Sequence, residues 1–154
     1  MFHKIIKKDI IYTYKELNMQ RFIDAQNQVF DKVVEELSHG FKETHWMWYI
    51  FPQITGLGQS TTAKYYELQN IDEINEYINN ELLMQRLYTL CSILKKQTNS
   101  AEEIFGYPDV LKFKSSMTLF DYYKQNEIFN ELLEKFYQGQ RDEETIKIIK
   151  KLTK

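Results

Sequence analysis

Cysteine is nearly missing: Cys91 is the single one among 154 residues, so no disulfide can close within the chain. That excludes a secreted scaffold stapled by disulfides and fits a reducing compartment. Net charge is scarce too, at -2 with a pI near 6.0, so the electrostatic footprint of a nucleic-acid binder is lacking. The local basic clusters, Lys4, Lys7 and Lys8 at one end and Lys147, Lys150, Lys151 and Lys154 at the other, read as solvated termini. Long apolar runs are absent, the opening residues alternating charge with short pairs such as Ile5-Ile6 and Ile10-Ile11. Neither a signal peptide nor a membrane span is therefore expected, and the cytoplasm is the expected location.

Familiar catalytic signatures are missing as well. Gly56 and Gly58 are followed by Thr61 rather than by a third glycine, and no strand precedes them, so a dinucleotide fingerprint fails. The sequence has no phosphate loop, no paired cysteines for zinc, no histidine pair at helical spacing and no nucleophile elbow. Neither a metal nor a cofactor is expected.

What is present is apolar material in abundance, 43% hydrophobic and 15% aromatic, ample for the core of one domain of this length. Residues 1–17 lack clean periodicity and are expected to form an extension outside that core. From 18 to 153 the pattern is helical. Asn18 can cap a first helix over 19–38, with Phe22, Val29, Val33 and Leu37 inward, Arg21, Asp24, Gln28, Asp31 and Glu35 on a solvated face, and Gly40 as its stop. Thr44 can cap a short helix starting at His45 that must end near Phe51, because Pro52 disfavours helical geometry before it.

Ser60, Asn70 and Asp142 are further cap candidates, and Ser100 with Glu103 forms a capping box that explains both acids at 102 and 103 without catalysis. Leu83, Leu87, Leu90 and Leu94 mark a long helix whose inner face includes Cys91, a packing residue on this reading. Pro108 suits a first helical position, Asp109 beside it suits the helix dipole, and Asn126 opens a helix that Gly139 closes. The expectation is an all-α domain of about eight helices, an irregular bundle without a repeat.

Chemistry concentrates in two stretches. Thr44 to Gln53 holds both tryptophans beside a histidine, and imidazole, titrating near neutrality, is the natural acid/base group there. His45 is thus the catalytic candidate. Trp46 and Trp48, two residues apart, point to nearly opposite sides of a helix, so at most one can wall a small pocket and the other is core, whereas the minor alternative of a strand would put Trp46, Trp48 and Ile50 on one face. Should Trp48 be the buried one, its truncation would cost about 3–5 kcal/mol. The second stretch carries Lys112, Ser115 and Ser116, an ammonium one turn from two hydroxyls, a plausible grip for phosphate or carboxylate.

These stretches also carry a likeness. His45-Trp46-Met47-Trp48-Tyr49-Ile50-Phe51-Pro52-Gln53 with Gly56-Leu57-Gly58, then Ser100-Ala101-Glu102-Glu103-Ile104-Phe105-Gly106, and Lys112 with Ser115-Ser116-Met117-Thr118-Leu119-Phe120, resemble the signature of domain of unknown function 1810. The likeness spans about residues 19–152 and implies a small, mainly helical single domain with no established activity to carry over. Thr44, Thr61, Tyr65 and Lys114 depart from the residues usual at those positions. Two readings follow. In one, a pocket binds or processes a small anionic or nucleotide-like ligand, using His45, Trp46 or Trp48, Gln53, Lys112, Ser115 and Ser116. In the other, the same residues weld helices together in a non-enzymatic interaction module. A cavity shared by His45 and Lys112 favours the first.

Overall fold

Helices dominate the computed structural model, which describes residues 4–7 and 10–154. Part of the expected extension, residues 1–3, 8 and 9 with His3 and Lys8, lies outside the described residues. The rest of it is not structureless: β1 (Lys4–Lys7) and β2 (Ile10–Thr13) pair antiparallel, Lys4 opposite Thr13 and Lys7 opposite Ile10. Paired isoleucines blur the alternation that marks a strand, yet β-branched residues favour extended backbone, and here that preference prevails.

The first helix, α1 (Tyr14–Ser38), begins well before residue 19. Asn18 is therefore inside it rather than its cap, and the Asn18 carbonyl accepts a hydrogen bond from the Arg21 guanidinium. Arg21 is not on a solvated face either. It pairs with Glu73 at 2.5 Å and donates to the Tyr65 and Glu67 carbonyls, which ties α1 to the chain around residues 65–73.

The end of α1 is built as expected, and closely. Gly40 has φ 78°, and a Cβ there would lie 2.6 Å from Asn99 Nδ2 and 2.8 Å from Gln97 Oε1. Those two amides close the helix: Gln97 donates to the Leu37 and Ser38 carbonyls, and Asn99 to that of Gly40.

Seven of the remaining helices follow as α2 (Met47–Ile50), α3 (Thr61–Tyr66), α4 (Ile71–Ile78), α5 (Glu81–Lys96), α6 (Ala101–Phe105), α7 (Asp109–Tyr123) and α8 (Ile128–Tyr137). The last is α9 (Glu143–Leu152). Cap chemistry is local, and it holds: Ser60, Asn70, Ser100 and Asp142 each accept the backbone N–H three residues on, and Glu103 completes the capping box. Asn80 does the same for α5. Asn126 does not open α8. Its φ of 64° places it in a left-handed turn, and the helix starts two residues later.

Packing runs in series, α1 on α5, α5 on α8 and α8 on α7, with α4 against α1 and α5, and with α6 and α9 against α7. The four-residue α2 sits between α1 and α7, flanked by α3. It is held by aromatic rings: Phe51, just past its end, meets Phe113 of α7 edge-on at 4.9 Å and Phe105 of α6 at 6.1 Å, while Phe105 and Phe113 stack at 4.5 Å. Each such ring buried contributes about 1.5–3 kcal/mol, enough to fix so short a helix that has little stability of its own. Cys91 is wholly buried in the leucine face of α5, and burial pushes its thiol up, which leaves it an inert packing residue. No helix among the described residues is long and apolar enough to cross a membrane.

Candidate functional site

The geometry of the aromatic segment is set from α1, by a buried carboxylate ten residues before it. Glu36 is 3% exposed, and Oε1 accepts the Glu43 N–H at 2.7 Å, the Thr44 N–H at 3.0 Å and the Trp46 indole N–H at 3.0 Å. Its Oε2 accepts the Thr44 hydroxyl at 2.6 Å. Burial opposes the charge, but the Thr44 hydroxyl, the two backbone donors and the indole outweigh it and hold the carboxyl below its ordinary range. Thr44 is therefore spent on Glu36 and caps nothing. Helix α2 begins at Met47, two residues later than His45, with no side-chain cap.

Trp46, turned toward Glu36, is wholly buried and also touches Phe51 at 6.0 Å. It is the core tryptophan. Trp48 is half-buried on the other side of α2, where it walls a cavity of about 370 Å³ that also takes in His45 and Lys112. His45 and Lys112, which sequence separates by about half of the domain, thus share one concave surface. It is completed by Lys42, Glu43 and Met47 on one side, and by Phe105, Tyr107, Pro108 and Asp109 on the other.

Asp109 organises the charge in it. It occupies the first turn of α7, where the helix dipole favours an anion, and its Oδ2 lies 2.8 Å from the Lys42 ammonium. Its other oxygen lies 3.4 Å from Lys112, one turn along the same helix. The two lysines differ. Lys42, 6% exposed, is sealed between Asp109 and the Trp46 ring, 5.0 Å away, and its backbone N–H donates to Ile104. Lys112, 28% exposed, stands 5.4 Å from the Trp48 ring centroid and faces the cavity. Neither the exposed His45 imidazole nor the Trp48 indole N–H meets a hydrogen-bond partner among the described residues.

The other expected residues lie elsewhere. Ser115 and Ser116 are buried in α7; the Ser115 hydroxyl donates to its own helix at Leu111, and that of Ser116 has no partner among the described residues. Gln53 is half-buried, and its carbonyl accepts the Leu68 N–H at 2.9 Å. None of the three lines the cavity. Sequence reasoning missed Lys42, Asp109 and Tyr107. Asp109 could be read only as a dipole partner, and Lys42 lies in a loop where no periodicity fixes direction.

A larger concavity, about 600 Å³, lies at the start of α9 between Lys114 and Glu144. Its Arg141 is committed to Asp121, Asn130 and the Gly139 carbonyl, and its Lys114 stands 5.8 Å from the Tyr137 ring. The smaller cavity, where the His45 imidazole and the Trp48 indole N–H meet no hydrogen-bond partner among the described residues, is the stronger candidate. Among the described residues no group of three or more His, Cys, Asp and Glu side chains is set to hold a metal ion.

Comparison with known proteins agrees with the fold. The sequence model of the family described as "Protein of unknown function (DUF1810)" matches residues 16–149. The crystal structure of the conserved hypothetical protein Rv1873 from Mycobacterium tuberculosis superposes with a TM-score of 0.83 at 41% sequence identity, covering 86% of this chain and 96% of that one. No curated protein matches.

Proposed function

The chain belongs to the DUF1810 family, whose description assigns no activity, and from that starting point we propose that the cavity between α2 and α7 binds a small anionic ligand bearing a flat, nucleotide-like ring. One observation carries this reading. The segment 44–48 divides cleanly: Thr44 and Trp46 have their donors consumed by Glu36, whereas His45 and Trp48 have polar groups that meet no partner among the described residues, and they line the same cavity as the Lys112 ammonium. An indole face suits a planar ring, and an ammonium beside it suits a negative group on that ring. The volume lies within the ordinary range for small-molecule sites, about 300–1,000 Å³.

Binding is better supported than turnover. An acid/base histidine normally has its tautomer and orientation fixed by a second group, and among the described residues none does this for His45. A fragment screen read by NMR tests the reading. Ligands should move the Trp48 indole and His45 resonances, and Trp48→Ala, His45→Ala and Lys112→Met should each weaken them while the fold persists. Hits that perturb other regions and leave these resonances still would overturn it. A second reading, a protein-docking surface, is favoured by the exposed Phe41, Tyr107 and Leu111 close in sequence to cavity residues; on that reading fragments stay silent at Trp48.

A further inference from the structure

Resting on that reading, we infer that the cavity selects ligands with a single negative charge, an aromatic carboxylate rather than an aryl phosphate, and that Asp109 is the residue that sets this preference. Lys42 and Asp109, both on the cavity wall, sit 2.8 Å apart with only 6% and 18% of their side chains exposed, so they neutralise each other and the Lys42 ammonium is held by Asp109. Lys112 is different: its 3.4 Å separation from Asp109 exceeds an ordinary N–H···O hydrogen bond, so its donors remain available. One ammonium with donors to spare is what the wall beside Trp48 offers, its charge already partly answered by Asp109 at 3.4 Å.

A ligand oxygen hydrogen-bonded to Lys112 must lie within about 6 Å of Asp109 Oδ1, given that separation and an ordinary bond length. The first negative charge on the ligand is matched by Lys112. A second meets the near oxygen of Asp109, whose counter-ion Lys42 lies on its far oxygen, and the Glu43 side chain, which also lines the cavity. Repulsion at that range, discounted for solvent, disfavours the second charge by about tenfold in affinity. The flat ring is needed as well, because Trp48 is the apolar face beside the ammonium.

The test compares 2-naphthoate, 2-naphthyl phosphate and the uncharged 2-naphthamide by NMR titration, followed at the Trp48 indole and at His45. At about pH 8 the phosphate is a dianion. The expected order is naphthoate tightest, and Asp109→Asn should shift the carboxylate-to-phosphate ratio toward phosphate by about tenfold. Because that variant also strips the buried Lys42 of its partner, Glu43→Gln serves as a second. It removes a negative charge from the cavity without touching the ion pair and should shift the ratio the same way by less. Phosphate binding as tightly as carboxylate, or a ratio unmoved by either variant, overturns the charge selection while the pocket stands. If none of the three ligands moves Trp48 or His45, the pocket reading falls and this inference falls with it.

Discussion

Replacing Glu36 with glutamine changes one atom and removes one charge, yet four donors depend on that charge. Glutamine can keep the amide oxygen toward the Glu43, Thr44 and Trp46 N–H groups, and its amide nitrogen can donate to the Thr44 hydroxyl, which must then turn its own proton to water. What is lost is the charge assistance. Hydrogen bonds to a charged group contribute about 1.5–3 kcal/mol, against about 0.5–1.5 for neutral ones, so four bonds lose roughly 4 kcal/mol. The neutral amide is also cheaper to bury, which returns part of this. The depressed pKa gives the sign of the remainder, since the folded state favours the ionised form. A net loss of about 1–3 kcal/mol is expected, roughly 3–10 °C in melting temperature for a domain of this size.

The pH dependence sharpens this. A carboxyl whose pKa is lowered on folding contributes stability that is fully present above its unfolded value of 4.5 and fades as pH falls through the folded one. The gap between wild type and Glu36→Gln, measured by urea unfolding across the acid range, should therefore be constant near neutrality and close below about pH 4.5. Equal stability at neutral pH, or a gap that persists undiminished into strong acid, would refute the reasoning.

The two tryptophans should separate in the same assay. Trp46→Ala, at a wholly buried ring, is expected to cost about 3–5 kcal/mol, and Trp48→Ala, at a half-buried one, markedly less; equal losses would contradict the assignment of core and wall. Cys91, fully buried with its thiol pushed up, should resist a thiol reagent in the native protein and react at the rate at which the domain opens. Rapid labelling under native conditions would show that α5 is not packed as described.

What the sequence made legible was local. Ser60, Asn70, Ser100 and Asp142 cap helices because the bond each makes spans three residues and needs nothing distant. Gly40 ends α1 for the same kind of reason, although the amides of Gln97 and Asn99 that close it come from far along the chain. Helix spacing showed that Trp46 and Trp48 face opposite ways, but not which faces inward. That depends on Glu36, a carboxylate on the same helix face as Val29 and Val33 whose partners lie in the following loop, which helix spacing does not place. Ser115 and Ser116 misled because α7 is buried over most of its circumference from Phe113 to Phe120, and of the three residues expected to form the grip only Lys112 reaches the cavity. Asp109 went unseen because its role is set by Lys42, in a loop whose path depends on a backbone bond to Ile104.

The bonds from Glu36 have a consequence for whatever arrives at the cavity. Residues 43–46 are a loop by conformation, and loops ordinarily must be ordered when something docks on them, at about 1–2 kcal/mol for each residue fixed. Here that ordering takes place during folding, on the side of the chain facing away from the cavity, through the backbone of Glu43 and Thr44 and the indole of Trp46. The outward groups, His45 and Trp48, are mounted on a backbone with little freedom left to lose. An incoming molecule meets a surface already in its final shape, so the contacts it makes count almost fully toward affinity.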